Sequence, residues 1–596
     1  MAEQILSPGV FQNESDQSLV SQGIQGTSTA VVGPTVLGQP FVPTYVTSYS
    51  QYVSKFGETF KSGSYYYEYF TSQVAKDFFQ NGGQTLLVTR IVNGSGSTAM
   101  STYASSSVGA ILNSNSSSFV LETLAWGDVM NNTSSLSGGA LANGSAINVR
   151  WEVTQVNTGS GTFTLAIRAG NDNTATPNYL ETWPNLSLDP NQPNYISRVI
   201  GDTKPVFRID TAGTPYIDYT GSYANASQYV RVKSVTYPIV DSIDNNGNFK
   251  SGSINTISGA PNSGSLPVLG SGSAASTLNN AGGSFAGGLP ATTLGSNFNE
   301  LIGDGSSNNN NIQGFTNPDY VTAFSILSNK DEYRFNVLLA PGVAANGNVA
   351  DDMISVCQNR GDAIALLDCT LYGQTVSAAV TAASSQNSNY AATYWPWVQL
   401  YNSNLGKNVW CPPTTVMGGV LAFNDQVGAE WFAPAGLNRG GVPSVLKAER
   451  KLSQADRDSL YDGNVNPLAT FPGNGVVVFG QKTLQKKQTA LDRVNVRRLL
   501  IALKDFIGQV ANNLVFEQNT NVTRNRFLSQ VNPYLDSVVQ RQGLYAYKVV
   551  MDESNNTPDV IDRNQLVGQI YIQPTKTAEF VILNFNVQPT GATFPG

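Results

Sequence analysis

The stretch Tyr66-Tyr67-Glu68-Tyr69-Phe70-Thr71-Ser72-Gln73-Val74-Ala75-Lys76-Asp77-Phe78-Phe79-Gln80-Asn81-Gly82-Gly83-Gln84-Thr85-Leu86-Leu87-Val88-Thr89-Arg90-Ile91-Val92 decides the fold class. Tyr66, Phe70, Val74 and Phe78 recur every fourth residue, which gives one apolar helical face and predicts a helix over about 65–80. Asn81-Gly82-Gly83 supplies the left-handed stop that helix ends favour. Leu86 to Val92 then reads as a β-branched strand. Helix, glycine stop and strand together are an α/β signature.

Working outward, Thr29 to Leu37 reads as a buried strand ending in a turn, and residues 1–22 as a short polar arm. From 96 to 203 the chain alternates as strands, for example Ile147 to Val156 and Thr162 to Arg168, with Asn, Gly and Ser turns between them. Residues 204–316 continue with strands and then lose complexity. The stretch 251–299 has no charged residue and is rich in Gly and Ser, a composition of flexible linker. Two β-rich domains are therefore expected as insertions, because α/β patterning resumes at about 317. There Tyr320 to Leu327 suits a helix and Arg334 to Ala340 a strand closed by Pro341-Gly342. A helix at about 350–359 then leads to a strand from Asp362 to Leu367. The most periodic helix is 491–514, with Val496, Leu499, Leu500, Leu503, Ile507, Val510 and Leu514 on one face. Arg493, Arg497 and Lys504 line up beside that face as a basic stripe. The carboxyl end reads as three strands, Leu544 to Val550, Gln569 to Gln573 and Glu579 to Val587. The last is apolar on both faces at its start and must be covered by something, since bare it would be an aggregation-prone edge.

Composition narrows the chemistry. Charged residues are 13% of the 596, and Asn, Ser, Thr and Gly replace much of the missing charge, as in β-rich domains that bury polar area against neighbours. The net charge of −7 argues against direct nucleic-acid binding. No window of about 18 apolar residues predicts membrane insertion. Met1 to Leu6 has neither the basic flank nor the apolar core of a signal peptide, so synthesis and assembly in a cytoplasm are expected. Histidine is absent, which removes His-based nucleophile pairs, HExxH zinc sites and imidazole proton shuttles. Cys357, Cys369 and Cys411 are widely spaced and read as buried free thiols. Gly473-Asn474-Gly475 with Gly480 lacks the G-x-x-x-x-G-K-[ST] pattern of a phosphate loop and precedes a strand where such a loop opens a helix, and Asp244-Asn245-Asn246-Gly247 has Ser242 where a calcium loop needs its first ligand; both read as turns. No catalytic residue, metal site or cofactor is expected.

An ordered series of motifs resembles the contractile tail sheath proteins of myovirus-type phages and related injection machines. Ser7-Pro8-Gly9-Val10 is similar to that family's opening, and Asn81-Gly82-Gly83 before Val88-Thr89-Arg90-Ile91 to its first α/β unit. Then come Tyr394-Trp395-Pro396-Trp397, Cys411-Pro412-Pro413, Gly418-Gly419, Asp425, and Trp431-Phe432-Ala433-Pro434-Ala435-Gly436. Asn466-Pro467, Phe471-Pro472-Gly473-Asn474-Gly475, Gly480-Gln481-Lys482-Thr483-Leu484, Val494-Asn495-Val496-Arg497-Arg498-Leu499 and Phe516-Glu517 complete it. Each is weak alone; the order is what is specific. Phe479 departs from the pattern, where the family more often has Trp. The resemblance covers 1–95 and about 317–596.

The resemblance implies an α+β multidomain subunit: a sheath core of 23–95 and 317–567, inserted β-rich outer domains at 96–203 and 204–316, and terminal β-strand arms at 1–22 and 568–596. It implies a helical homo-oligomer of stacked rings around a tail tube protein, in contact with baseplate and tail-terminator proteins, within a virion. Such a sheath is held extended until a baseplate signal lets it shorten and drive the tube through the host envelope. Ser7, Pro8, Gly9, Val10 and Phe11, and Phe580, Val581, Ile582, Leu583, Phe585 and Val587, are the candidate linking arms, able to add to a neighbour's sheet. Ser15 to Thr29 and Asp552 to Leu566 read as the pliant segments behind them. Residues 441–550 hold 15 Lys and Arg against 8 Asp and Glu. That surplus marks 441–567 as the inner part facing an acidic tube, with Arg493, Arg497, Lys504, Arg524 and Arg526 as candidate contacts. A solvated helix face with local ion pairs is the competing reading of those residues. The sheath of a non-phage contractile injection system is the alternative function, and a polysaccharide-cleaving enzyme a more distant one.

Overall fold

The computed structural model describes residues 28–62, 65–92, 103–109, 117–132, 136–157, 160–211, 213–236, 266–267, 281–287 and 317–579. Its centre is an eight-stranded sheet. Six strands run parallel across the middle: Leu86–Ile91, Thr29–Pro34, Val337–Ala344, Ile364–Asp368, Ala391–Trp395 and Val465–Phe471. Short antiparallel strands, Thr44–Val46 and Gly475–Val478, close the two sides. The parallel strands are nearly all buried and read as unbroken apolar runs because helices cover both faces.

Alternate side chains divide between two cores. Ala30, Leu87, Leu338, Ala365 and Ala391 face the helices Asn317–Leu327, Asn348–Arg360 and Val376–Ser384. Val31, Val88, Leu339, Leu366 and Ala392 face Tyr49–Phe56, Phe70–Gln80 and Thr414–Val427. Tyr394-Trp395-Pro396-Trp397 is a packing motif: Tyr394 and Trp397 enter the second core, Trp395 the first, and the Trp397 indole donates to the Thr370 carbonyl at 2.8 Å. Gly418-Gly419 lets two helices touch. A Cβ on Gly419 would stand 2.2 Å from Asp77 Oδ2 and 3.0 Å from the Asp77 carbonyl.

Several expectations need correction. The helix predicted over 65–80 begins at Phe70, because Tyr65–Glu68 pairs with Thr59–Ser62 as a hairpin, leaving Tyr66 exposed. Pro341-Gly342 does not close its strand. The register slips between Leu339 and Ala344, and Gly342 N–H is taken up by Asp368 Oδ2 at 2.7 Å.

The boundary at 203/204 falls inside one packed unit. Strand Val230–Val235 pairs with Ser117–Trp126, and Ala281–Ser284 pairs with Val149–Asn157. Phe119, Phe163, Val232 and Phe285 share one core, with Phe119 and Phe163 stacked 5.4 Å apart. Among the described residues, the two larger antiparallel sheets of the insertion therefore share one core across that boundary. Ala281–Ser284 also shows that the low-complexity stretch is not all linker.

The C-terminal unit expected to start at 441 starts later, since Val465–Phe471 and Gly475–Val478 belong to the central sheet. Beyond that sheet lies a separate small unit. Helices Val494–Asn512 and Asn521–Gln540 pack with the hairpin Leu544–Val550/Gln569–Pro574 around Leu499, Leu503, Val531, Leu535 and Leu544. Gln569–Pro574 thus belongs with the residues before 568, not with the arm after them.

Candidate assembly interface

The candidate arms Ser7 to Phe11 and Phe580 to Val587 lie outside the described residues, but the places from which they leave are defined. On the amino side Ser28 Oγ donates to the Arg334 carbonyl and Asn336 N–H to the Ser28 carbonyl, so the chain is committed to the central sheet from its first described residue. On the carboxyl side the Leu544–Val550/Gln569–Pro574 hairpin is a two-stranded sheet. Leu544, Ile570 and Ile572 turn inward, while Tyr545 and Tyr571 are exposed. Among the described residues each strand pairs on one side only, which leaves two free edges.

The segment Asp552 to Leu566 is not the pliant tether its polarity suggested. Asn556 is buried, its amide nitrogen donates to the Asp552 and Val567 carbonyls, and its Oδ1 accepts from Val567 N–H at 2.9 Å. One internal asparagine replaces the missing apolar contacts, and a short helix, Pro558–Asp562, fills the rest.

The basic stripe is dispersed. Arg497 is buried, its guanidinium 4.0 Å over the Tyr390 ring and bonded to the Asn389 carbonyl and Oδ1. Arg524 is buried against Asn519 and Asn521. Neither can present charge to a partner. The reason is that the Val494–Asn512 helix is a wedge: Val494 and Ile501 enter the central core, Leu499 and Leu503 the C-terminal one, so its first turns are covered on several sides. Arg493 is partly exposed and forks onto Glu579. Lys504 is exposed, and so is Arg526, 3.8 Å from Glu517. Sequence reasoning also missed Arg498. It is buried and pairs in a two-pronged fashion with Asp425, at 2.8 and 2.6 Å, tying the wedge helix to the end of Thr414–Val427. Both residues stood in the ordered motif series, and that was the signal available.

Among the described residues no helix is long and apolar enough to cross a membrane, and no group of three or more acidic or thiol side chains is placed to hold a metal ion.

Residues 313–484 match the phage tail sheath protein central domain, and residues 486–588 the phage tail sheath C-terminal domain. Residues 313–588 thus match the two sheath domains in order. The tail sheath protein of Vibrio phage KVP40 is 33% identical over 303 residues, covering 46% of this chain and 45% of that protein. The tail sheath protein of Enterobacteria phage T4 is 33% identical over 298 residues, with the same coverage. The chain therefore aligns with a little under half the length of these relatives. The crystal structure of a sheath tail protein from Listeria innocua resembles it in fold, with a TM-score of 0.50 at 10% identity over 92% of this chain and 96% of that one. The boundary between the two matched sheath domains falls just ahead of the wedge helix, and neither match includes the inserted β domain.

Proposed function

We propose that this chain is the polymerising subunit of a contractile phage tail sheath, with a mechanical and not a catalytic role. The observation that carries the reading is the two-stranded C-terminal sheet. Among the described residues it has two free edges, and the apolar run Phe580 to Val587 comes a few residues after it in the sequence. A row of unpaired backbone groups along a strand edge is a template for another chain. An arm from one neighbour on each edge completes the sheet by main-chain hydrogen bonds. Head-to-tail exchange of this kind builds open helical arrays and not closed dimers. Rings so linked slide between an extended and a shortened packing without separating. The stored energy lies in the packing of the extended state, behind a kinetic barrier, and no nucleotide is needed.

The tube occupies the axis and meets the C-terminal unit. Lys504 and Arg526 are the contacts left from the sequence-derived set once the buried Arg497 and Arg524, and Arg493 with its charge paired to Glu579, are removed. Baseplate and tail-terminator proteins cap the two ends of the polymer in the virion. The matched relatives at 33% identity are phage proteins, which favours a phage tail over another injection device. Electron microscopy of the purified protein tests the reading. Tubes of uniform width are expected from the full chain, and folded single subunits from a chain ending at Glu579. Polymers unchanged by that truncation overturn it.

A further inference from the structure

Glu579 sits where three parts of the central unit converge. Its Oε1 accepts from Arg493 Nε at 2.7 Å and Gln481 Nε2 at 3.1 Å; its Oε2 accepts from Arg493 Nη2 at 2.9 Å and the Tyr461 hydroxyl at 2.6 Å. Tyr461 is on the Gln454–Asp462 helix, Gln481 comes just after the Gly475–Val478 edge strand, and Arg493 precedes the wedge helix. Asp492 steadies the arginine at 3.0 Å, and Lys482 lies 4.4 Å over the Tyr461 ring while donating to that residue's carbonyl. The carboxylate is mostly buried, and the four donors satisfy both of its oxygens. Burial works against its charge, but the bonds from Arg493 and Tyr461 outweigh that and hold its pKa below the usual value. Two residues earlier, Thr577 Oγ meets Gln481 Nε2 at 2.6 Å, and Thr575 N–H reaches the Gly543 carbonyl. So the chain leaves the C-terminal hairpin, crosses back to the central unit and is fastened there just before Phe580.

The geometry points to a carboxylate-binding pocket, Tyr461–Gln481–Arg493, whose ligand is the side chain of Glu579 in the same molecule and whose role is to root the C-terminal arm on the central unit. The role rests on the reading that residues 580–596 reach a neighbour. Without the pocket, a pull on the arm would peel the two-stranded hairpin from its free end. With it, the pull ends on a forked arginine pair, where charge-assisted bonds add both strength and direction. The give needed when subunits slide then lies beyond Glu579, and the span from Pro574 to Glu579 moves with the body.

Two measurements test this. In the first, Gln481→Cys and Thr577→Cys are combined. The native thiols Cys357, Cys369 and Cys411 are fully buried, so the new pair alone is available for oxidation. A disulfide is expected within single soluble subunits. The oxidised protein should polymerise as the reduced one does, and dissolved polymers should run as single chains without reductant. A pair that does not oxidise in the soluble subunit, chains cross-linked to each other, or oxidised subunits that no longer polymerise overturn the proposal. In the second, amide exchange over 575–579 in the soluble protein is compared with Glu579→Gln and Arg493→Gln. Both variants are expected to exchange there about 10- to 100-fold faster, the range set by losing a charge-assisted bond; exchange unchanged from the parent overturns the pocket. If no form of the chain makes polymers, the sheath reading fails while the soluble cross-link and the exchange rates still judge the pocket.

Discussion

Removing Asp425 should cost far more than removing its partner Arg498, although the same two bonds are lost. The Arg498 side chain is 2% exposed and Asp425 is 31% exposed. In Asp425→Ala the guanidinium stays buried without its anion, a defect worth about 3–5 kcal/mol when no water reaches it. The partly open Asp425 side admits some water, so the lower part of that range, about 3 kcal/mol, is expected. In Arg498→Met the flexible thioether fills most of the arginine's volume and the freed carboxylate turns to solvent, which should cost about 1 kcal/mol. The double variant Asp425→Ala/Arg498→Met should then recover part of the single loss, with a coupling energy of about 2 kcal/mol. Urea denaturation monitored by tryptophan fluorescence reads all three, at equal dependence on denaturant. Equal losses from the two single variants, or a double variant no better than Asp425→Ala, would refute the argument that burial asymmetry governs this contact.

Gly419→Ala should lower the thermal midpoint despite a gain of about 1 kcal/mol in helix propensity, because the methyl meets the Asp77 backbone and forces two helices apart at about 1–3 kcal/mol. Gly418→Ala, whose nearest neighbour is the flexible end of Leu339 at 3.1 Å, should be milder, and a reversed order in calorimetry counts against the packing account. Asp77 gives a pH signature. Burial raises its carboxyl to about 7, against bonds from Ser444 and Asn81 that act to lower it. Since the folded state holds this proton above the ordinary Asp pKa, stability should fall as pH rises from about 4 to about 7. Asp77→Asn should match the parent below about pH 4 and exceed it by roughly 4 kcal/mol at pH 8; parallel pH curves for the two proteins would show that the buried proton is not there.

How much could be read in advance depends on the physics of each segment. Thr29–Pro34, Leu86–Ile91 and Ile364–Asp368 were legible because a strand covered on both faces has no freedom but to be apolar. The wedge helix was legible from its period, yet its basic residues were misplaced, since periodicity locates a face and says nothing of what lies against it. Arg497 on Tyr390 and Arg524 among asparagines are satisfied by neutral partners that charge counting overlooks. Ala281–Ser284 was hidden for another reason. Gly283 lies directly under the Trp151 indole, where a Cβ would come within 2.3 Å, so that position must be glycine and the short Ala-Gly-Gly-Ser strand looks like linker. The join of 230–235 to 117–126 crosses more than a hundred residues, and no local pattern encodes it. From sequence Glu579 reads only as the start of a strand, because its pocket is assembled from three places that are distant in the chain.

The position of Thr29–Pro34 has a mechanical corollary. It is an interior strand, in register with Leu86–Ile91 along its whole length and with Val337–Leu339 over its first half. A load applied ahead of Ser28 runs along the strand axis and strains both ladders in shear, so their bonds must rupture together. An outermost strand would give way one bond after another. The molecule thus meets tension at its amino side with a strand paired on both sides.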